Sequence, residues 1–154
     1  MSARQPPTAG SSEGDADLRA AIRRMRAADG LLLGVLDDDP TGSQTVHGVQ
    51  VVTLLSASAY QAALAGPAAA CFVLTNTRSL DERAAAVRTA RAARGLIAAA
   101  TRRGARIQLI SRSDSTLRGH LAAEVAALQA VQREEAGQAF DAVLLIPAFI
   151  EGGA

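Results

Sequence analysis

The sequence has no lysine, no tryptophan and a single cysteine, and only 3% of its 154 residues are aromatic. Without lysine, the chain has neither a Schiff-base amine nor the lysine of a GxxxxGK[ST] phosphate-binding loop, and all 16 basic residues are arginine. A formal net charge of +1 and few aromatic rings offer nucleic acid neither a basic field nor a stacking surface. We therefore expect no nucleic-acid partner.

Two further absences concern the compartment. The lone Cys71 cannot form an intramolecular disulfide, and its apolar surroundings "AAACFVLT" predict a buried, inert thiol rather than a nucleophile. No apolar run approaches about 18 residues, and residues 1–14 lack a charged start followed by an apolar core, so we expect neither a membrane span nor a signal peptide. We expect a cytoplasmic protein with no membrane partner.

The composition that is present fits one soluble globular domain, with 49% hydrophobic and 20% charged residues. Residues 1–14 are rich in Pro, Gly and Ser and are predicted to form a disordered leader, and residues 15–154 the domain. From Asp17 onward, a helical face formed by Leu18, Ile22 and Met25 ends at Gly30.

Five short apolar segments then predict strands, at residues 31–36, 49–55, 70–75, 106–111 and 142–147. Helices are predicted between them at 57–65, from about 79 to 104, and from Thr116 to about Ala136. This alternation predicts an α/β fold with an open, mostly parallel sheet flanked by helices in a Rossmann-like, three-layer arrangement.

The two longer helices have patterns that predict their ends and buried faces. Ser79 and Glu82 form an SxxE capping box for the first of them. Its predicted buried face comprises Leu80, Ala84, Val87, Ala90, Ile97 and Ala100. The face predicted for the second comprises Leu117, Leu121, Val125, Leu128 and Val131.

Polar residues follow four of the strands, in the segments "DDDPTGS", "NTRS", "SRSDSTLRGH" and "PAFIEGG". The carboxyl ends of parallel strands share one edge of the sheet, and ligands of open α/β proteins bind in the crevice there. The sequence therefore predicts that these segments converge on one pocket.

The residue types in these segments indicate the ligand. Guanidinium forks suit a carboxylate or phosphate, and carboxylates accept hydrogen bonds or a proton from sugar hydroxyls. The forks are Arg78, Arg112 and Arg118, and the carboxylates are Asp38, Asp39 and Asp114. These groups together suit a polyhydroxy acid.

Ser115 and Thr116 precede a helix whose free N–H groups favour an anion. An alternative stays open, because Ser113, Asp114 or Ser115 could simply cap that helix and Arg118 could be a solvated first-turn residue.

Glycines and histidines in the same segments have two interpretations. Gly42 and Gly119 either allow close approach of a ligand or serve a turn and tight packing. His47 and His120 fit surface or packing roles better than ligand binding, although His120 could reach a phosphate. No His pair has metal-ligand spacing, so no dedicated metal site is expected.

The stretch "VLDDDPTG" also fits the DxDxT signature of haloacid-dehalogenase-like phosphatases, with Asp37 as nucleophile, Asp39 as acid/base and magnesium between them. That mechanism also needs a downstream basic residue, usually Lys, and a further acidic pair, whereas the last strand edge offers only Glu151. The phosphatase is therefore the weaker interpretation.

The ordered set "DDDPTGSQTVHGV", "LTNTRSL", "SRSDSTLRGH" and "IPAFIEGG" resembles the N-terminal domain of the four-carbon acid sugar kinase family over residues 31–153. The resemblance implies phosphorylation of threonate- or erythronate-type sugar acids with ATP and Mg²⁺. It also implies that this domain binds the sugar acid and that a second domain carries the nucleotide site.

The resemblance implies that the residues matching the family's motifs form the sugar-acid site. Its substrate-binding residues are Thr41, Gly42, Arg78, Ser113, Asp114, Ser115, Thr116, Arg118 and Gly119, beside Asp38 and Asp39. One of Asp38 and Asp39 is our choice as catalytic base, because the attacking hydroxyl must lose its proton as the phosphoryl group arrives.

The chain departs from the family at its end, where "EGGA" stands in place of a continuing GGR motif and no nucleotide-binding domain follows. We expect an incomplete domain that is inactive alone and either depends on a separate nucleotide-binding domain or is a stand-alone binding or remnant module. Missing strands would leave an unpaired sheet edge that permits oligomerisation.

Overall fold

The computed structural model describes residues 12–114, 118–137 and 139–146. The chain divides into two compact units, the first ending at Leu31 and the second beginning at Leu32. The first contains helix α1, Ser12–Asp29. At its end the Gly30 N–H donates a hydrogen bond to the Arg26 carbonyl, and Gly30 adopts a left-handed conformation with φ +62°. The helix starts inside the range predicted as a leader, and residues 1–11 lie outside the described residues.

The second unit is built on a parallel sheet. Its strands are β1 (Leu32–Asp37), β2 (Gln50–Val52), β3 (Ala70–Leu74) and β4 (Ile107–Arg112), in the order β2-β3-β1-β4. Every pairing is parallel, and the last residue of β1, Asp37, is in register with Leu74 of β3 and Arg112 of β4. The α/β fold with a parallel sheet flanked by helices is confirmed.

Three helices connect or follow these strands: α2 (Ala57–Ala65), α3 (Glu82–Arg102) and α4 (Leu121–Ala136). Helix α3 packs on β1 and β4 and touches both α2 and α4. Gly34 permits this close approach, because a Cβ there would collide with Leu96 of α3. Leu96 and Val73 are among the fully buried side chains at the centre of the core.

The start predicted for α3 is wrong, and its predicted buried face is correct only in part: Ala100 is buried and Ala90 and Ile97 pack partly buried against the core, whereas Val87 is exposed. Asp81 is the N-cap, accepting a 2.8 Å hydrogen bond from the Ala84 N–H, while Ser79 Oγ donates to the Asn76 carbonyl. The buried face comprises Ala85, Thr89, Ala92, Ala93, Leu96, Ala99 and Ala100. The mostly small side chains of this face let the helix lie close to the sheet, and Val87, predicted on the buried face from its helical spacing, lies outside that face and is 63% exposed.

The fifth predicted strand is also wrong within the described residues. Residues 142–146 form no strand, and Val143, Leu144, Leu145 and Ile146 are exposed; residue 147 lies outside the described range. An apolar run is a local signal, whereas a strand needs a neighbour to complete its ladder. β2 is likewise shorter than its predicted range of 49–55.

No helix of the described residues is long and apolar enough to cross a membrane. The sole cysteine, Cys71, is buried as predicted, and its burial raises the pKa of the thiol to about 11. A thiol with so high a pKa is protonated at neutral pH and is a poor nucleophile.

Candidate functional site

The strand order places the carboxyl ends of β3, β1 and β4 side by side at one edge of the sheet. The chain runs from β1 to the β2–β3 side of the sheet, and α3 then carries it back across to β4. Ligands of open α/β proteins bind outside the carboxyl ends of the strands. The polar segments after β1, β3 and β4 meet at this point.

Arg78 joins the three segments. It lies in the short 3-10 turn Thr77–Ser79 after β3, and its guanidinium faces three carboxylates. Its NH2 is hydrogen-bonded to Asp39 Oδ2, its NH1 lies 3.4 Å from Asp114 Oδ2, and its Nε lies 3.6 Å from Asp38 Oδ2. Three of the four segments predicted to converge therefore do so, and the fourth, "PAFIEGG", lies outside the described residues.

Asp38 holds the turn that carries Arg78. The Asp38 side chain is buried, and its Oδ1 accepts hydrogen bonds from Thr77 Oγ1 at 3.0 Å and from the Arg78 N–H at 2.8 Å. Asn76 precedes this turn in the left-handed region, with φ 49° and ψ 41°. Asn tolerates that conformation better than most residues, so the "NTRS" sequence suits the reversal that brings Arg78 to Asp38.

Asp39 is more accessible than Asp38 and is strongly stabilised as a carboxylate. Its Oδ1 accepts a 2.7 Å hydrogen bond from the Thr41 N–H, and its side chain is 24% exposed. Hydrogen bonds from the Thr41 side chain and backbone, followed by Arg78, lower the pKa of Asp39 to about 2. Asp39 is therefore ionised at neutral pH and within reach of solvent.

Asp37 and Arg112 form a second pair at the strand ends. Burial raises the pKa of Asp37, while Arg112, whose NH1 lies 3.6 Å from Asp37 Oδ2, opposes that rise. Gly42 makes room for the pair, because a Cβ on Gly42 would overlap the Arg112 guanidinium and the Asp37 carboxylate. The glycine of the "PTG" segment therefore has a packing reason within the site.

Asp114 links Arg78 to the segment after β4. Its buried Oδ2 also lies 2.8 Å from NH2 of Arg118, which is 66% exposed. Gly119 permits this tight turn, since a Cβ there would overlap the Asp114 carbonyl oxygen. Ser115 and Thr116, also predicted as site residues, lie outside the described residues.

Glu124 is a site neighbour that the sequence reasoning missed. Helix α4 begins at Leu121, and the buried Glu124 in its first turn accepts a 2.6 Å hydrogen bond from Ser113 Oγ. Glu124 stands four residues before Leu128 and seven before Val131, both buried. A charged residue on an otherwise apolar helix face was the signal that could have revealed it.

The two histidines lie apart from the carboxylates. His120 Nε2 is 2.8 Å from the Leu80 carbonyl, so it ties the start of α4 to the segment after β3, and His47 is exposed. Among residues 12–114, 118–137 and 139–146, no three His, Cys, Asp or Glu side chains are arranged to hold a metal ion.

The site combines carboxylates that accept hydrogen bonds with two partly exposed guanidinium groups, Arg112 and Arg118. Carboxylates bind hydroxyl groups and guanidinium groups bind a carboxylate or phosphate. The fold and these groups define the class of protein: an α/β domain with a charged, polar site at the carboxyl edge of a parallel sheet.

Comparison with known families gives a more specific assignment. Residues 33–153 match the family described as the sugar-binding N-terminal domain. The chain belongs to this family, which is the N-terminal domain of four-carbon acid sugar kinase proteins, and the resemblance read from the motifs is confirmed. No curated protein and no solved structure matches the chain.

Proposed function

We propose that this chain is the sugar-acid-binding lobe of an ATP-dependent kinase that phosphorylates four-carbon acid sugars of the threonate or erythronate type. The observation that carries the proposal is the contact of Arg78 with Asp38, Asp39 and Asp114 across segments from three strand ends. Family membership supports a sugar ligand, and the arginines near these carboxylates fit its acid group.

The arginines have different roles in this proposal. Arg78 has its N–H groups directed at three carboxylates, so it holds them in place rather than receiving the ligand. Arg112 and Arg118 are 46% and 66% exposed and can turn part of their guanidinium forks to the sugar carboxylate. Asp39, which is partly open to solvent, then accepts hydrogen bonds from the sugar hydroxyls, while the buried Asp114 orients Arg118.

Asp39 is the better choice for the catalytic base. Asp38 already accepts two hydrogen bonds inside the protein and is 2% exposed, which suits a positioning role. Asp39 is ionised and partly open to solvent. In phosphoryl transfer the proton leaves the attacking hydroxyl late, so a positioned carboxylate of low pKa can accept it.

ATP and Mg²⁺ belong to this proposal only through the second domain that family membership implies. We assign no nucleotide group to this chain. Its own residues bind the sugar acid, orient one hydroxyl and receive its proton, while bound nucleotide would supply the phosphoryl group.

Calorimetry of the purified chain with threonate, erythronate and a neutral four-carbon sugar alcohol tests the binding role. We expect both acids to bind and the alcohol to bind far more weakly, since it lacks the carboxylate. An alcohol that binds as well as the acids would contradict the assignment of the arginines.

Two variants separate direct contact from positioning. Arg118→Ala should weaken acid binding about tenfold or more with little change in melting temperature, because an exposed charge contributes little to stability. Arg78→Ala should weaken binding and also lower the melting temperature, because it leaves Asp38 and Asp114 buried without their shared cation. Arg103→Ala, at the exposed far end of α3, is the matched control.

The kinase role requires a separate measurement. The chain mixed with a protein that supplies the nucleotide-binding domain should release ADP only when the sugar acid is present. Binding without ADP release would favour a stand-alone binding module. Release of phosphate from a generic ester with magnesium would favour the phosphatase instead, with Asp37 and Asp39 as the reacting carboxylates.

A further inference from the structure

Glu124 is a buried carboxylate that the proposed sugar-acid site does not use directly. It lies in the first turn of α4 with 4% of its surface exposed. Its Oε2 accepts the hydrogen bond from Ser113 Oγ, which in turn lies 2.5 Å from Ser111 Oγ. Its Oε1 is buried and has no hydrogen-bond partner among the described residues.

The direction of these hydrogen bonds follows from the number of protons that each serine hydroxyl can donate. Ser113 Oγ lies 2.6 Å from Glu124 Oε2 and donates its hydrogen bond to that oxygen. A serine hydroxyl has one proton, so Ser113 donates it to Glu124 and accepts a hydrogen bond from Ser111. The hydrogen-bond chain therefore starts on β4 and ends on α4.

The buried Glu124 carboxylate does not by itself stabilise the fold. A buried carboxylate with one oxygen unpaired destabilises a fold, and an apolar side chain of similar volume is often neutral or stabilising at such a position. Leu128 and Val131 occupy the following turns on the same buried side of α4. Stability alone would favour an apolar residue at position 124 as well.

The residue that Glu124 restrains adjoins a residue of the proposed site. Ser113 directly precedes Asp114, whose carboxylate lies between Arg78 and Arg118. Asp114 follows the end of β4 in a segment without regular structure, so the sheet ladder alone does not fix its backbone. The bond from Ser113 to Glu124 supplies a second anchor for this backbone.

We propose that Glu124 is a positioning residue: through Ser113 it fixes Asp114 for binding of the sugar acid, at a cost in stability. The inference rests on the proposed function. A matched set of substitutions tests it through binding and melting together.

Glu124→Met removes the charge and the hydrogen-bond acceptor while keeping an apolar side chain of similar length. We expect a melting temperature equal to or above that of the wild type and about tenfold weaker binding of threonate or erythronate, the effect of one charge-assisted hydrogen bond. Glu124→Gln keeps an oxygen that Ser113 can donate to, and should restore most of the affinity. A Met variant that melts well below the wild type and binds normally would show a structural role and overturn the proposal.

A double-mutant cycle tests the route through Ser113. Ser113→Ala should weaken binding about as much as Glu124→Met, and the double variant should lose little more, because both remove the same contact. Thr89→Val is the control, since Thr89 is also buried and its Oγ1 also lacks a partner, but it lies on α3 away from Asp114. Additive losses in the double variant would contradict the route.

Amide hydrogen exchange provides a readout that needs no ligand. Exchange at Ser113 and Asp114 should be faster in Glu124→Met than in the wild type, while exchange in the core of α3 stays unchanged. Unchanged exchange at both residues would overturn the positioning role even if the wild type bound no sugar acid. If the wild type binds no sugar acid but exchange is faster in the variant, the result would contradict the proposed function and still support the claim that Glu124 anchors the backbone at Asp114.

Discussion

At the scale of single residues, the environment of each carboxylate sets its role. The three consecutive aspartates of the "DDDPTG" segment occupy three different surroundings. Asp37 is buried beside Arg112, Asp38 is buried and bonded to the turn after β3, and Asp39 is open to solvent beside Arg78. Opposite charges and hydrogen bonds offset the repulsion among neighbouring carboxylates. The segment is therefore more than a chain reversal.

The lowered pKa of Asp39 predicts a pH dependence of stability. The folded-state pKa of about 2 lies below the ordinary 3.8, so ionised Asp39 stabilises the fold above about pH 4. That contribution is lost as the pH falls from about 4 to about 2, when the carboxylate is protonated in the folded state.

Urea denaturation of wild type and Asp39→Asn at several pH values measures this contribution. The wild type should be the more stable at pH 6, and the difference should shrink towards pH 2 as its Asp39 is neutralised. A difference that stays constant with pH would contradict the lowered pKa of Asp39. Asp17→Asn, an exposed carboxylate of α1, is the control.

Gly42 gives a second prediction at this scale. Gly42→Ala should displace Arg112 and leave Asp37 buried without its cation, which costs about 1–3 kcal/mol. The loss should be smaller at pH 4, where a larger share of Asp37 is neutral, because burial raises its pKa. Gly66→Ala, at a position with open space around the new Cβ, should be close to neutral at both pH values.

At the scale of secondary-structure elements, the caps of α3 offer a direct comparison. Asp81→Ala should lower the free energy of unfolding by about 1 kcal/mol, because it removes the N-cap hydrogen bond to the Ala84 N–H. Ser79→Ala should cost less, since Ser79 bonds only the Asn76 carbonyl. Urea denaturation of both variants measures their free energies of unfolding. A larger loss for Ser79→Ala than for Asp81→Ala would support the SxxE capping box that the sequence predicted.

The elements show what the sequence could and could not predict. The four strands were predicted within a few residues, because short apolar runs between turn residues are typical of strands in a parallel sheet, although only β1 and β3 are mostly buried. The Asp38–Arg78–Asp114 contact also followed, since strand ends of a parallel sheet share one edge. Neither prediction needed knowledge of side-chain positions.

The failures have a common physical cause, which is dependence on tertiary partners. The buried face of α3 is the one that packs on β1 beside Gly34, whereas helical spacing alone pointed to a neighbouring face that contains Val87. Glu124 was missed because a hydrogen bond to Ser113 makes its burial tolerable, and that partner is known only once β4 and α4 are packed.

At the scale of the whole molecule, the described residues include a sheet edge and an exposed apolar segment. Within residues 12–114, 118–137 and 139–146, β4 is the last strand in the order β2-β3-β1-β4, and Val143, Leu144, Leu145 and Ile146 form a consecutive exposed run. Unpaired strand edges and exposed apolar runs promote association between copies.

Substitution of Leu144 and Ile146 by Ser should therefore reduce association that depends on protein concentration, as measured by light scattering. The melting temperature should change little, because both side chains are already exposed, at 83% and 77%. Equal scattering from the variant and the wild type would show that this segment does not mediate association.

The central claim for the whole molecule is that segments from three strand ends form one sugar-acid site. An NMR titration of the backbone amides with threonate or erythronate tests this most directly. The amides of Asp39, Arg78 and Asp114 should shift together and give one dissociation constant. Shifts confined to a single segment, or found elsewhere in the fold, would contradict the account.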